Sequence, residues 1–406
     1  MGTELSIERS SGMTGRLWIL LGIILAGANM RAAISSVGPL IGFIRDETGL
    51  SNGAMGWMTT IPLIGFALLS PVTPAIARRF GTERTLAASL LLMTVGIASR
   101  VVDSVPMLFI GTAGVGVAIA VSNVLLPSIV KKNFANRVGL MTGLYSMTMT
   151  LFAAFAASVS VPLAEGAGWG WRNALLVWAA MSAAGLLIWL PQAIRSRSSG
   201  AAAAAGVSAE SRAGRGSNVW KSGLAWQITL FMGFQSFNFY VCVAWLPDIL
   251  LSKGWSPENA GFMLSLMQLS GIPFNFLIPM IAEKLKDQKL VAALGALISL
   301  AGYAGLLSGH SAALTASVVL IGVGQGMSIS LALMFIAVRA RSATQAAALS
   351  GMAQSVGYAL AALGPICLGM LHDASSSWTG PILAMIGSSV VMAVAGFGAG
   401  RDRYAD

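Results

Sequence analysis

Charge is what this sequence lacks most. Lysine, arginine, aspartate and glutamate make up 10% of its 406 residues, against roughly 25% in a soluble chain. A water-facing domain of this size is excluded, and a mean hydropathy of +0.77 agrees. Acids are the scarcer sign, 15 against 25 Lys and Arg, and all of them fall at span ends, loops or tails. The two histidines, His310 and His372, lie by loops as well. A proton relay built from a mid-membrane Asp, Glu or His is therefore not visible, and only Asp46, Asp248 and Asp373 near one mouth could carry a proton. Two cysteines, Cys242 and Cys367, sit inside apolar stretches without metal or redox spacing, so they are expected to be small buried hydrophobes. No metal or cofactor is called for. Catalysis would need a reactive cluster, and the nearest thing is His372-Asp373 with no third partner. Gly111, Gly114 and Gly116 lack a preceding strand and a following Lys-Ser/Thr, so helix packing explains them better than a phosphate cradle.

What the chain has instead is apolar length. Twelve spans can be placed near 16–44, 53–77, 84–102, 106–130, 138–162, 171–190, 222–250, 257–282, 289–308, 312–337, 345–371 and 379–400. Each suits a membrane helix. The segment 191–220 is rich in Ala, Ser, Gly and Arg and reads as a cytoplasmic linker between six-span halves, 1–190 and 221–406. The net charge of +10 does not signal nucleic acid, because the basic residues fall in short clusters between spans. With the N-terminus inside, only Arg45, Arg100, Arg172 and Lys253 lie near the outer side, which predicts cytoplasmic termini. The segment before the first span lacks the features of a secretory signal, so that span is expected to stay in the protein.

The first span holds one cation near mid-membrane, Arg31. A charge there costs several kcal/mol unless it meets water or a partner, which makes it the leading functional candidate. Its 29 residues would rise about 43 Å as one helix, more than the roughly 30 Å hydrocarbon core, so a tilt or kink is predicted. The halves also repeat each other. Pro74-x-Ile76-Ala77 matches Pro279-x-Ile281-Ala282, Gly114 and Gly116 match Gly322 and Gly324, and Gly143 matches Gly351, all at offsets of 205 or 208. Duplicated six-helix halves are an architecture of carriers that rock around a central site.

Across nearly its whole length the chain resembles the major facilitator superfamily. PAIARRFGTER (Pro74 to Arg84) is similar to the superfamily signature G-x-L-A-D-R-x-G-R-[RK], keeping Ile76, Ala77, Arg79 and Gly81. It departs at Pro74, at Arg78 where the signature has Asp, and at Glu83. The matching loop of the second half, PMIAEKLKD, has Glu283 at the acid's place, so Arg78, Arg79 and Glu283 are expected to form a gate between the halves. More narrowly, Arg31, NVLLPSIVKKNF (Asn123 to Phe134) and QAAALSGMAQSVGYALAALGP (Gln345 to Pro365) resemble the cyanate/2-nitroimidazole transporter branch. The resemblance implies an all-α membrane protein of twelve transmembrane helices in two pseudo-symmetric six-helix bundles. It also implies a carrier, not an enzyme, in a bacterial inner membrane, moving a small anion or small polar nitroheterocycle by alternating access. A proton-driven multidrug efflux carrier is the alternative.

In that fold spans 1, 4, 7 and 10 line the cavity, with 2, 5, 8 and 11 beside them. The polar mid-span residues expected to bind substrate are Arg31, Ser35, Asn123, Tyr145, Gln235, Asn238, Gln268, Gln325, Gln354 and Tyr358. Arg31 and Ser35 share a helix face, as do Gln354 and Tyr358. The expected partners are a small-molecule substrate and the lipid bilayer, with no nucleic acid, and a monomer is sufficient.

Overall fold

A computed structural model describes residues 2–50, 52–203 and 219–405; of the side chains in 2–16, 52–56, 195–203 and at 59, 257, 258 and 373 nothing is said. The described chain is helical and carries no strand. Its α-helices are α1 (Gly2–Ser35), α2 (Ile41–Thr48), α3 (Asn52–Leu69), α4 (Thr73–Phe80), α5 (Thr82–Ser99), α6 (Val105–Asn133), α7 (Val138–Val161) and α8 (Gly170–Ala203) in the first half. The second half holds α9 (Gly223–Leu251), α10 (Pro257–Glu283), α11 (Lys289–Gly305), α12 (Ser311–Val338), α13 (Ala343–Ser375) and α14 (Thr379–Ala399).

Among the described residues nine helices are long and apolar enough to cross a membrane. A tenth span is the pair α3–α4, bent by 61° where Pro71 and Pro74 break the ladder. The shorter α5 and α11 complete twelve. The long first span breaks as well: α1 ends at Ser35, a 3-10 turn follows over Gly38–Leu40, and α2 continues to Thr48. Pro39 has no N–H to extend the ladder, and the helix tightens there into the 3-10 turn.

The start of the linker differs from expectation, because α8 runs on to Ala203. Residues 191–203 end in a run of alanines, the best helix formers, and the helix carries through Pro191 and Gly200 to reach them. The rest of the linker, 204–218, lies outside the described residues.

Apolar side chains sort into three clusters that reveal how the halves sit. One is shared by both, joining Leu125, Ile129 and Tyr145 of the first to Leu331, Phe335, Leu349 and Tyr358 of the second. The other two belong to one half each, around Val37, Leu40 and Trp171, and around Leu246, Met267 and Ile382. The shared core lies toward the end where the basic loops gather, and the separate cores lie toward the opposite end.

The hydrogen bonds described between the halves follow the same division. Ser128 Oγ donates to the Ala343 carbonyl (2.7 Å), Ser146 Oγ to that of Asn275 (3.2 Å) and Ser355 Oγ to that of Ala67 (2.7 Å), while Asn275 Nδ2 donates to Thr150 Oγ1 (3.1 Å). All stand between the basic end and mid-depth. The seam is close because glycine lines it: a Cβ on Gly143 would meet the Phe276 carbonyl at 2.6 Å, and one on Gly351 the Ser70 carbonyl at 2.7 Å. These two glycines are the repeat pair found in the sequence, placed at the two related seams, α7 on α10 and α13 on α3.

Candidate functional site

Arg31 lies four residues before the end of α1. Gly27, one turn earlier, lets α1 approach α7, where an added Cβ would stand 3.2 Å from the Tyr145 carbonyl. Asn29 turns the other way and binds α1 to α8, donating from Nδ2 to the Met181 carbonyl (3.3 Å). With those two faces committed to packing, Arg31 is left half-buried on a third, facing the other half.

Its surroundings are aromatic. The guanidinium carbon sits 5.6 Å from the centroid of the Phe239 ring on α9. Its neighbour Tyr240 and Tyr358 of α13 both lie within the field of the same charge. The rings form a chain: Phe239 to Tyr240 at 5.4 Å, Tyr240 to Tyr358 at 6.5 Å, and Tyr358 to Phe66 of α3 at 4.8 Å. Among the described residues no carboxylate pairs with Arg31. Cation–π contact contributes about 0.5–2 kcal/mol, which does not neutralise a charge in mid-membrane. The arrangement is a single cation edged by flat, polarisable faces, suited to an electron-rich guest.

The other candidates divide by the company they keep. Ser35 lies one turn beyond Arg31 at the end of α1 and is half-buried. Gln354, one turn before Tyr358, donates to Ser350 Oγ (3.1 Å) and leaves its buried amide oxygen unpaired. The Gln235 and Gln325 amides pair across α9 and α12 at 3.1 Å, and Gln325 also bonds the Tyr303 hydroxyl at 2.9 Å. Asn123 and Tyr145 are buried, Gln268 is half-buried, and none makes a described hydrogen bond to Arg31.

Asn238 is committed to packing within the second half in this arrangement. Fully buried, it accepts from Ser388 Oγ (2.6 Å) and donates to Ser389 Oγ (3.3 Å), bolting α9 to α14. A side-chain amide with both ends satisfied inside one bundle is interhelical glue. Phe239 and Phe66 were not found by sequence reasoning. In helices apolar all round, one more phenylalanine carries no signal.

The expected gate is also rearranged. Arg78 and Arg79 are exposed, and the Arg79 guanidinium lies 5.4 Å from the ring of its neighbour Phe80. Neither meets Glu283 among the described ion pairs. The reason is topological: α4 packs on α13, whereas α10, which ends in Glu283, packs on α7. Glu283 instead lies against the first turn of α7, where a Cβ on Gly139 would come within 2.9 Å of its Oε2. A carboxylate at a helix N-terminus is favoured by the free N–H groups there. Glu83 is occupied separately, by Lys132 across α5 and α6.

At the end opposite the basic loops a cavity of about 230 Å³ lies among Glu47, Asp103, Trp171 and Arg172. Its acids are already engaged, since Arg172 pairs with both and Trp171 Nε1 donates to Glu47.

The comparisons with known proteins bear on this geometry. Residues 19–362 match the family model described as Major Facilitator Superfamily. The chain belongs to that superfamily. It is 47% identical over 388 residues to the uncharacterized transporter YycB of Bacillus subtilis (strain 168), covering 95% of this chain and 94% of that one. It is 42% identical over 396 residues to the 2-nitroimidazole transporter of Escherichia coli (strain K12), covering 97% and 98%. The fold superimposes on the proton:xylose symporter XylE bound to 6-bromo-6-deoxy-D-glucose with a TM-score of 0.75 at 12% identity, covering 95% of each chain. The likeness to XylE concerns fold alone. This is a multi-pass membrane transporter of the cyanate/2-nitroimidazole-like branch.

Proposed function

We propose that this transporter carries a small anion or a small polar nitroheterocycle, cyanate- or 2-nitroimidazole-like, by alternating access, with Arg31 as the central binding group. The observation that carries the reading is a half-buried mid-membrane guanidinium without a carboxylate, edged by Phe239, Tyr240 and Tyr358 of the other half. An anion or nitro group supplies the charge-assisted hydrogen bonds that Arg31 lacks. The aromatic faces take the flat remainder of the guest. Identity to the 2-nitroimidazole transporter over nearly the whole chain supports the substrate class.

The basic loops face the cytoplasm in this reading, placing both termini inside a bacterial inner membrane. The shared core then closes the cytoplasmic side and the cleft opens outward. Transport follows when the halves part along α7–α10 and α3–α13 and close at the opposite end.

Thermal stabilisation of purified protein by a panel of small anions and nitroheterocycles tests the reading, since a ligand raises stability by mass action. The expected result is a narrow profile that Arg31→Ala abolishes while the unliganded melting temperature is retained. Unchanged ligand shifts in Arg31→Ala, or resistance of expressing cells to several unrelated dyes, would overturn it.

A further inference from the structure

A second guanidinium lies in the first half where the sequence reading put only an outer-side charge. Arg100 follows α5 and is 1% exposed. Among the described residues it has no carboxylate partner, and its Nε finds no acceptor. Its one hydrogen bond runs from Nη1 to the carbonyl of Ala33, at 2.8 Å.

That carbonyl is a particular one. In the last turn of α1 the Ser36 N–H reaches the Ala32 carbonyl (3.1 Å), but the next, Val37 N–H, shortens its step and goes to Ile34 (3.2 Å). The helical ladder therefore passes over Ala33, and Arg100 supplies the missing donor from another helix. A cation is favoured at this place, because helix C-termini carry partial negative charge and Arg100 itself caps α5. Room for it is made by Gly111 of α6, where a Cβ would stand 3.0 Å from Arg100 Cγ.

Ala33 lies between Arg31 and Ser35, inside the same turn. We propose that Arg100 is a positioning residue: by capping α1 at Ala33 it fixes the angle at which Arg31 and Ser35 face the cleft. The inference rests on Arg31 being the binding group, but its test needs no substrate. The anionic thiol reagent 2-sulfonatoethyl methanethiosulfonate and its cationic trimethylammonium counterpart would be applied to Ser35→Cys. The background would be Cys367→Ser, since Cys367 is exposed whereas Cys242 is buried. One turn from Arg31, the introduced thiol should react faster with the anion, by about tenfold for a charge some 6 Å away in a half-wet cleft.

Arg31→Ala should erase that preference. Arg100→Met should erase it to the same extent, Arg100→Lys should restore most of it, and the Arg31→Ala/Arg100→Met pair should fall no further than either alone. An unchanged preference in Arg100→Met overturns the proposal, as does an additive loss in the pair. Arg100→Gln replaces Arg100→Met, with the same two outcomes, if the latter does not fold. Substrate failure in the ligand panel with this pattern intact would remove the functional reading and leave the positioning role standing.

Discussion

At the scale of single residues, two polar side chains that looked alike in the sequence do opposite work. Asn238 and Arg31 both lie mid-span, yet Asn238 is satisfied by Ser388 and Ser389 while Arg31 pairs with no acid among the described residues. Asn238→Ala removes two buried hydrogen bonds between α9 and α14, while Ser388 and Ser389 keep theirs to the Met385 carbonyl (2.7 and 2.9 Å), and should lower stability by about 1–3 kcal/mol. Ligand-induced stabilisation should survive it, and a lost ligand shift would return Asn238 to the site. Arg31→Lys keeps the charge but loses the planar fork that meets two acceptor oxygens at once. Affinity for whichever anion or nitroheterocycle stabilises the parent protein should fall about tenfold without vanishing, read by titration calorimetry on purified protein. Arg31 was legible because a lone charge in a long apolar run is conspicuous. Its aromatic partners were not, since their meeting depends on which faces of α3, α9 and α13 turn inward, and those helices have apolar residues on every side.

At the scale of helices, the seam glycines carry the argument. Gly143 and Gly351 recur at matching places in the two halves, and each brings a helix of one half against a backbone carbonyl of the other. The repeat was visible in the sequence, as were the twelve spans, because length and hydropathy fix both. What could not be read was which helices meet. The gate expected between Arg78, Arg79 and Glu283 joined loops equivalent in sequence, but equivalent loops lie on different seams when halves are related by rotation. Gly143→Val would put a Cβ 2.6 Å from the Phe276 carbonyl oxygen and add two methyl groups beyond it, a conflict of the kind that costs roughly 1–3 kcal/mol if the seam stays shut. The seam should therefore open. A thiol at Asn275→Cys, protected in the parent, should become reactive to reagent added from the basic side. Continued protection would show that the closed seam tolerates the added volume.

At the scale of the whole molecule, the two seams are closed by unlike chemistry, and this bears on how the carrier turns over. The α3–α13 side is sealed by packing, with Pro74 against Gly351 and Ser355 bonded to Ala67, and its loop presents the cations Arg78 and Arg79. The α7–α10 side has an acid, Glu283, set against the start of α7. That acid is placed to act as an electrostatic latch, because it lies against a helix N-terminus of the other half. Such a contact contributes about 0.3–1 kcal/mol, so its loss shifts a two-state equilibrium by roughly two- to fivefold. Glu283→Gln keeps the shape and removes the charge. It should raise the fraction of molecules open at the basic end by that factor, measured as the distance distribution between spin labels on the loops before α7 and after α10. High salt should mimic the substitution in the parent protein and do little in the variant, because a half-exposed charge is screened. If the parent and Glu283→Gln populations coincide at low salt, packing and neutral hydrogen bonds hold both seams, and the latch is no part of the cycle.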